Sequence, residues 1–176
     1  PVVTAAAKQN ILNLVQTGVD QGATLVVDGR DFNLQGYEDG FFVGPHLFDN
    51  VTPDMDIYTK EIFGPVLCTV RAGNYEEALG LAMDHEYGNG TAIFTRDGDA
   101  ARDFANRINV GMVGINVPIP VPLAYHTFGG WKKSVFGDLN QHGPDAFKFY
   151  TRTKTVTARW PSGIKQGGEF NFKAMD

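Results

Sequence analysis

Residues 60–67 read KEIFGPVL, and the rest of the chain is organised around this stretch. Polar turn residues 50–56 precede it, and the apolar run 66–70 has the length and branching of a buried strand. Gly64 and Pro65 interrupt regular structure, because glycine permits unusual backbone angles while proline fixes φ and lacks a donor. The stretch therefore predicts a junction at which irregular backbone enters a strand.

Glu61 and Phe63 lie two residues apart within this junction. Alternate residues of an extended segment point the same way, so one carboxylate and one ring can address the same ligand. A carboxylate accepts hydrogen bonds, for example from both hydroxyls of a ribose, and an aromatic ring packs beside a flat heterocycle. A solvated glutamate and a core phenylalanine at an ordinary turn would explain the same residues, so both interpretations remain open on these positions alone.

The composition of the 176 residues is that of one ordinary globular domain, with 43% hydrophobic and 20% charged residues. A formal net charge of −5 argues against nucleic acid or an anionic membrane as partner. No apolar run reaches the roughly 18–20 residues of a membrane span. The single cysteine excludes an internal disulfide and fits a reducing compartment. Because the given sequence shows no charged-then-apolar leader, we expect no secretory signal and a cytoplasmic location, or the mitochondrial matrix in a eukaryote.

Hydrophobic periodicity predicts strands that alternate with helices. Helices are expected at residues 3–19, 74–88, 97–109 and 145–150, and strands at residues 23–27, 41–48, 66–70, 91–95, 112–116 and 153–160. This alternation favours an α/β fold with parallel strands. Asn74 followed by Glu77 resembles a helix capping box.

Residues 118–134 lack periodicity. Pro118, Pro120 and Pro122 alternate there, so the segment cannot donate a regular ladder and should be extended. The last predicted strand, at residues 153–160, stands alone and needs a partner sheet.

Three further stretches carry a resemblance to a known family. Residues 36–48 read GYEDGFFVGPHLF, residues 128–134 read FGGWKKS, and residues 149–157 read FYTRTKTVT. In this order, and together with KEIFGPVL, they resemble the C-terminal third of an aldehyde dehydrogenase over nearly the whole chain. Residues 116–123, NVPIPVPL, resemble the CoA-acylating methylmalonate-semialdehyde dehydrogenase branch in particular.

The resemblance implies a parallel-sheet, three-layer α/β/α catalytic domain. Residues 1–150 would be its C-terminal part, residues 151–160 an oligomerisation strand, and residues 161–176 a tail. We therefore expect a fragment of a longer homo-oligomeric enzyme, a dimer or tetramer, whose catalytic cysteine lies upstream. The implied reaction converts a small semialdehyde, CoA and NAD to propionyl-CoA or acetyl-CoA, CO2 and NADH.

The resemblance also assigns site residues. Glu61 would hold the nicotinamide ribose of NAD, and Phe63 would flank its ring. The wall of the aldehyde tunnel would comprise five residues, namely Asn116, Pro118, Ile119, His126 and Phe128. At Val135 the chain departs from the glycine that many members carry, and a larger residue there fits the acylating branch.

Other candidate chemistry is weaker. Cys68 lies in an apolar strand, where burial should raise its pKa and leave the thiol inert. The four histidines are dispersed, so no metal site is expected. Lys132 and Lys133 fit surface charges or functional groups equally well. Two alternatives to the acylating enzyme remain, namely a non-catalytic module of the same fold that acts in assembly, and an aldehyde dehydrogenase that releases a free acid.

Overall fold

The computed structural model describes residues 1–160 of the chain. Helix α1, Ala5–Asp20, begins where the hydroxyl of Thr4 accepts a hydrogen bond from the amide of Ala7 at 3.1 Å. Ile11, Leu14 and Val15 recur at the spacing of one helical face and are buried. The predicted first helix is therefore confirmed.

Three short strands follow α1 and form one sheet. They are β1 at Thr24–Val27, β2 at His46–Asp49 and β3 at Val66–Cys68, with the single-turn helix α2, Asp56–Thr59, between the last two. β1 and β2 are antiparallel, and β2 and β3 are parallel. Within the described chain the other edge of β3 carries no strand.

β2 is shorter than the predicted strand at residues 41–48. Residues 41–45 form no strand, because the backbone at Gly44 crosses directly over Gly29. A Cβ atom on Gly29 would lie 2.5 Å from the carbonyl carbon of Gly44, so only glycine allows this approach. The crossing ends the extended segment before β2 begins.

A second group of elements contains a strand–helix–strand unit. Helix α3, Tyr75–Asp84, precedes β4 at Tyr87–Gly88, β5 at Gly90–Ile93, helix α4 at Gly98–Arg107 and β6 at Met112–Ile115. β5 and β6 are parallel and joined by α4, as the predicted alternation requires. The predicted parallel packing is thus confirmed in two strand pairs, although the described strands form three small sheets and no single continuous one.

Helix α3 starts as the sequence predicts and ends earlier. The side chain of Asn74 accepts a hydrogen bond from the amide of Glu77 at 3.0 Å, and the Glu77 carboxylate accepts one from the amide of Gly73 at 2.7 Å. The helix ends at Asp84 rather than at Gly88, because Tyr87–Gly88 pairs with strand β7, Trp131–Lys132.

Two buried clusters hold the elements together. The first lies between α1 and the three-stranded sheet and contains Leu14, Val15, Ala23, Phe48, Val51, Met55 and Ile57. The second lies between α3, α4 and the strand–helix–strand unit and contains Leu79, Phe104, Ile108 and Val110. The first cluster places α1 directly beside the KEIFGPVL junction.

The end of the described chain is correctly predicted only in part. Helix α5, Asp145–Tyr150, is present. Residues 151–160 are exposed and form no strand, which corrects the predicted strand at residues 153–160 for the single chain, because no strand within residues 1–160 pairs with this segment. Its pairing with a second subunit stays a prediction, and the tail at residues 161–176 lies outside the described residues. Within residues 1–160 no helix is long and apolar enough to cross a bilayer.

Candidate functional site

The predicted junction at Gly64 is present. α2 ends at Thr59 and β3 begins at Val66, with irregular backbone between them. The amide of Val66 donates to the carbonyl of Gly64 at 2.8 Å, which closes a tight turn around Pro65. A Cβ atom on Gly64 would lie 2.6 Å from Cδ1 of Ile11, so a side chain at this position would push the junction away from α1.

Phe63 has a strained and exposed conformation. Its φ of 53° lies in the left-handed region, which bulky residues rarely adopt, and its side chain is 81% exposed. Such strain costs about 1–3 kcal/mol and clusters at ligand-binding and catalytic sites. The conformation directs the ring away from the buried cluster, so Phe63 is not the core phenylalanine that an ordinary turn would place there.

Glu61 and Phe63 line one cleft of about 390 Å³. The opposite side of the cleft comes from the start of the chain and from α1, including Asn10 and Ile11. Both side chains of the motif are exposed to it. The expectation that a carboxylate and a ring share a cavity is therefore met, and the contribution of α1 to that cavity was not predicted.

The proline-rich stretch does not line this cleft. Its apolar residues Val117, Ile119, Val121 and Leu123 are exposed. Within residues 1–160 the cleft of Glu61 and Phe63 is lined on its other side by residues 1–3 and α1, and the wall at residues 116–128 contributes no residue to it.

Asn116 uses its side chain locally. Its amide oxygen accepts from the backbone amide of Thr95 at 2.9 Å, and its amide nitrogen donates to the carbonyl of Thr95 at 3.0 Å. The residue has a φ of 58°, a left-handed conformation that asparagine tolerates better than most residues. The carboxamide therefore continues the pairing of β5 and β6 past the end of the strands.

Phe128 and His126 each contact another ring. The Phe128 ring stacks on His142 with centroids 4.2 Å apart and planes at 23°, and His126 lies against Tyr125 at 4.5 Å. Phe128 is half-buried, whereas His126 is exposed. A cavity of about 330 Å³ lies beside them, lined by Thr127, Gly129, Gly130 and their neighbours.

The FGGWKKS stretch is fastened to the end of α3. The ammonium group of Lys132 donates to the carbonyls of Met83 and His85, at 2.5 and 2.9 Å. Lys133 forms an ion pair with Glu86, and the amide of Gly88 donates to the hydroxyl of Ser134 at 3.0 Å. Lys132 is thus a helix-capping residue rather than a free surface charge, and no signal in the isolated sequence indicated it.

The surroundings of Cys68 and His46 do not indicate a catalytic role for either side chain. Burial raises the pKa of the Cys68 thiol, as predicted for a structural cysteine. His46 is 3% exposed, and neither ring nitrogen has a hydrogen-bond partner in the part of the chain that the structure describes. Its Nε2 lies 3.9 Å from a carboxylate oxygen of Asp28. Within residues 1–160 no cluster of three or more histidine, cysteine or acidic residues is placed to hold a metal ion.

The sequence model of the aldehyde dehydrogenase family matches residues 1–156. The chain belongs to this family, and its mixed α/β fold with parallel strand pairs is that of the family's catalytic domain. The sequence resemblance is thereby confirmed.

The individual relatives point to one branch. A malonate-semialdehyde dehydrogenase of Pseudomonas aeruginosa is 58% identical over 99% of this chain and 35% of its own length. A Drosophila melanogaster protein described as an acylating, mitochondrial methylmalonate-semialdehyde/malonate-semialdehyde dehydrogenase is 51% identical over 91% of this chain and 31% of its own length. A methylmalonate-semialdehyde dehydrogenase of Sinorhizobium meliloti, crystallised with NAD, is 75% identical with a TM-score of 0.87, covering 94% of this chain and 34% of that one. The chain thus spans about a third of the length of the relatives it matches.

Proposed function

We propose that this chain is the C-terminal part of an NAD-dependent, CoA-acylating methylmalonate- or malonate-semialdehyde dehydrogenase. The observation that carries the proposal is the shared cleft of Glu61 and Phe63, in a chain whose relatives carry these names. The full-length enzyme converts the semialdehyde, CoA and NAD to propionyl-CoA or acetyl-CoA, CO2 and NADH.

The cleft suits one end of a dinucleotide. Its volume of about 390 Å³ lies at the lower end of ligand pockets, which is enough for a ribose and one attached ring. The Glu61 carboxylate accepts hydrogen bonds from the ribose hydroxyls, and the exposed Phe63 ring flanks the nicotinamide. When bound, NAD supplies the acceptor for the hydride that leaves the aldehyde.

The Phe63 backbone supports this assignment physically. The left-handed backbone at Phe63 turns the side chain away from the buried cluster, so the ring is already presented to the cleft before a ligand packs on it. The cost of this conformation is met by the packing of the neighbouring junction against Ile11 of α1.

The substrate wall is assigned to five residues, namely Asn116, Pro118, Ile119, His126 and Phe128. Alternating prolines restrict the backbone of this segment, and a rigid wall favours a productive orientation of a small aldehyde. Asn116 forms two hydrogen bonds with the backbone of Thr95, which fix the position of the first residue of the wall.

The nucleophile is assigned to the part of the enzyme outside this chain. Cys68 is the only cysteine here, and its raised pKa disfavours the thiolate that attacks an aldehyde. We further propose that the enzyme is a homo-oligomer in which residues 151–160 pair with a second subunit, and that it is cytoplasmic, or mitochondrial in a eukaryote. The exposure of every residue in that segment supports the pairing.

The test is an assay of NADH formation with methylmalonate semialdehyde. We expect the full-length protein to be active only with NAD and CoA both present, with an acyl-CoA as product. We expect residues 1–176 alone to be inactive. Absence of turnover by the full-length protein would refute the proposal and leave the assembly module as the better interpretation.

The same assay separates the acylating from the hydrolytic chemistry. An aldehyde dehydrogenase that releases a free acid turns over at the same rate with and without CoA, and its product contains no thioester. Release of CO2 in step with NADH identifies the decarboxylating branch.

A further inference from the structure

Residues 138–143, the return segment, fold back onto residues 125–129, the arm that carries Phe128. Three contacts join the two segments. Asn140 packs on the Cα of Gly129, where any Cβ atom would overlap its amide, and His142 stacks on Phe128. At Gly143, whose φ is 67°, a Cβ atom would lie 2.9 Å from the carbonyl oxygen of Tyr125. The return segment is therefore fitted to the arm along several residues.

The ring of Phe128 depends on this return segment for its orientation. Phe128 belongs to neither of the two buried clusters and is only half-buried. Gly129 and Gly130 follow it, so no neighbouring side chain on that side of the sequence covers the ring. Within residues 1–160 the ring that contacts Phe128 is His142, with centroids 4.2 Å apart and nearly parallel planes.

We propose that His142 is a positioning residue that holds the Phe128 ring in the wall of the aldehyde site and so sets the selectivity for small semialdehydes. The proposal rests on the function proposed above. Stacked rings gain from both contact area and orientation, so the imidazole restricts rotation of the phenyl ring as well as covering it. Without the imidazole the ring turns, and the wall loses its fit to a short substrate.

Loss of the stacking of His142 on Phe128 should affect binding of the semialdehyde and not binding of NAD. Phe128 is assigned to the aldehyde wall, whereas the cofactor cleft of Glu61 and Phe63 is lined by α1 and the junction. Loss of the stacking should therefore raise KM for the semialdehyde and leave KM for NAD unchanged. Discrimination against longer, unbranched aldehydes should also decline.

The experiment compares three variants of the full-length protein. We expect His142→Ala to raise KM for methylmalonate semialdehyde about fivefold, with a smaller change in kcat. His142→Phe restores a planar ring and should return KM close to the original value. Gln141→Ala, at an exposed neighbouring position, is the matched control and should match the unmodified protein.

A second measurement reports on the ring itself. Fluorophenylalanine placed at position 128 should give a fluorine NMR resonance that shifts in His142→Ala and returns in His142→Phe. This measurement does not depend on turnover, so it tests the stacking even if the unmodified protein does not oxidise the semialdehyde and the proposed function fails.

Three outcomes would overturn the inference. The first is a KM for semialdehyde that is unchanged in His142→Ala of an active enzyme. The second is an equal rise of KM for NAD, which indicates a general structural defect. The third is a fluorine resonance that does not respond to His142.

Discussion

Lys132 places its ammonium group 2.5 Å from the carbonyl oxygen of Met83, at the C-terminal end of α3. A second bond reaches the carbonyl of His85, so one side chain satisfies two acceptors that the helix leaves open. A cation is also favoured at this end of a helix dipole. The FGGWKKS stretch is thereby tied to α3 over a sequence separation of 49 residues.

Lys132→Met should remove this tie. We expect the free energy of unfolding to fall by about 1 kcal/mol, which is the usual net contribution of an intramolecular hydrogen bond. Urea denaturation measures the change. Lys133→Met is the control, because Lys133 forms only a surface ion pair with Glu86 and should have a smaller effect. Equal effects of the two variants would contradict the assigned role of Lys132.

Gly18→Ala and Gly80→Ala should shift stability in opposite directions. Both glycines are helical, but a Cβ atom at Gly18 would lie 2.7 Å from Cδ1 of the buried Ile57. Within residues 1–160 no atom outside the local helix backbone would lie within 4 Å of a Cβ atom at Gly80. We expect Gly18→Ala to destabilise the protein by about 1 kcal/mol through overpacking. Gly80→Ala should stabilise it by about 0.5–1 kcal/mol, because alanine loses less backbone entropy in a helix.

Both variants can be followed by urea denaturation under one set of conditions. If Gly18→Ala were as stable as Gly80→Ala, the contact between α1 and α2 would be looser than the structure indicates.

Glu61→Gln should weaken NAD binding in the full-length protein. Replacement of a charged acceptor by a neutral amide weakens its hydrogen bonds, so we expect KM for NAD to rise about tenfold. KM for CoA should remain unchanged. Asp39→Asn removes a carboxylate outside the cleft and serves as the control. An unchanged KM for NAD in Glu61→Gln would remove Glu61 from the cofactor site.

Asp28 should make stability depend on acidic pH. The Arg30 guanidinium donates hydrogen bonds to its carboxylate and lowers the pKa of Asp28 from 3.8 to about 2. A carboxyl group with a lowered pKa in the folded protein contributes stability above its unfolded pKa, and that contribution is lost as the pH falls towards about 2.

The stability difference between the unmodified protein and Asp28→Asn should therefore be constant near neutral pH and shrink below about pH 4. Urea midpoints measured across this range provide the test. The difference should also be reduced by salt, because the pair is solvent-exposed. A difference that grows at low pH would contradict the assigned sign.

Local sequence signals predicted the elements well where packing is local. The helix at Ala5–Asp20 follows from apolar spacing, and the start of α3 follows from Asn74 and Glu77. The junction at Gly64 was also predictable, because glycine followed by proline leaves few regular conformations.

Features that depend on distant residues were not predictable. The contribution of α1 to the cleft depends on the approach of Gly64 to Ile11, and the end of α3 depends on strand β7, more than 40 residues away. The stacking of His142 on Phe128 has no periodic signal, since both residues lie in irregular backbone. The wall at residues 116–128 does not line the cleft of Glu61 and Phe63, and their common site in the longer enzyme stays a prediction.

The edge of β3 that lacks a partner strand within the described residues has a consequence for handling the chain in solution. Within residues 1–160 no strand pairs with the edge of β3 that faces away from β2, and the side chain of Leu67 beside it is exposed, so another extended segment can add there. Concentrated preparations of residues 1–176 alone should therefore tend to precipitate or form soluble aggregates. Storage at low protein concentration should preserve the monomer best.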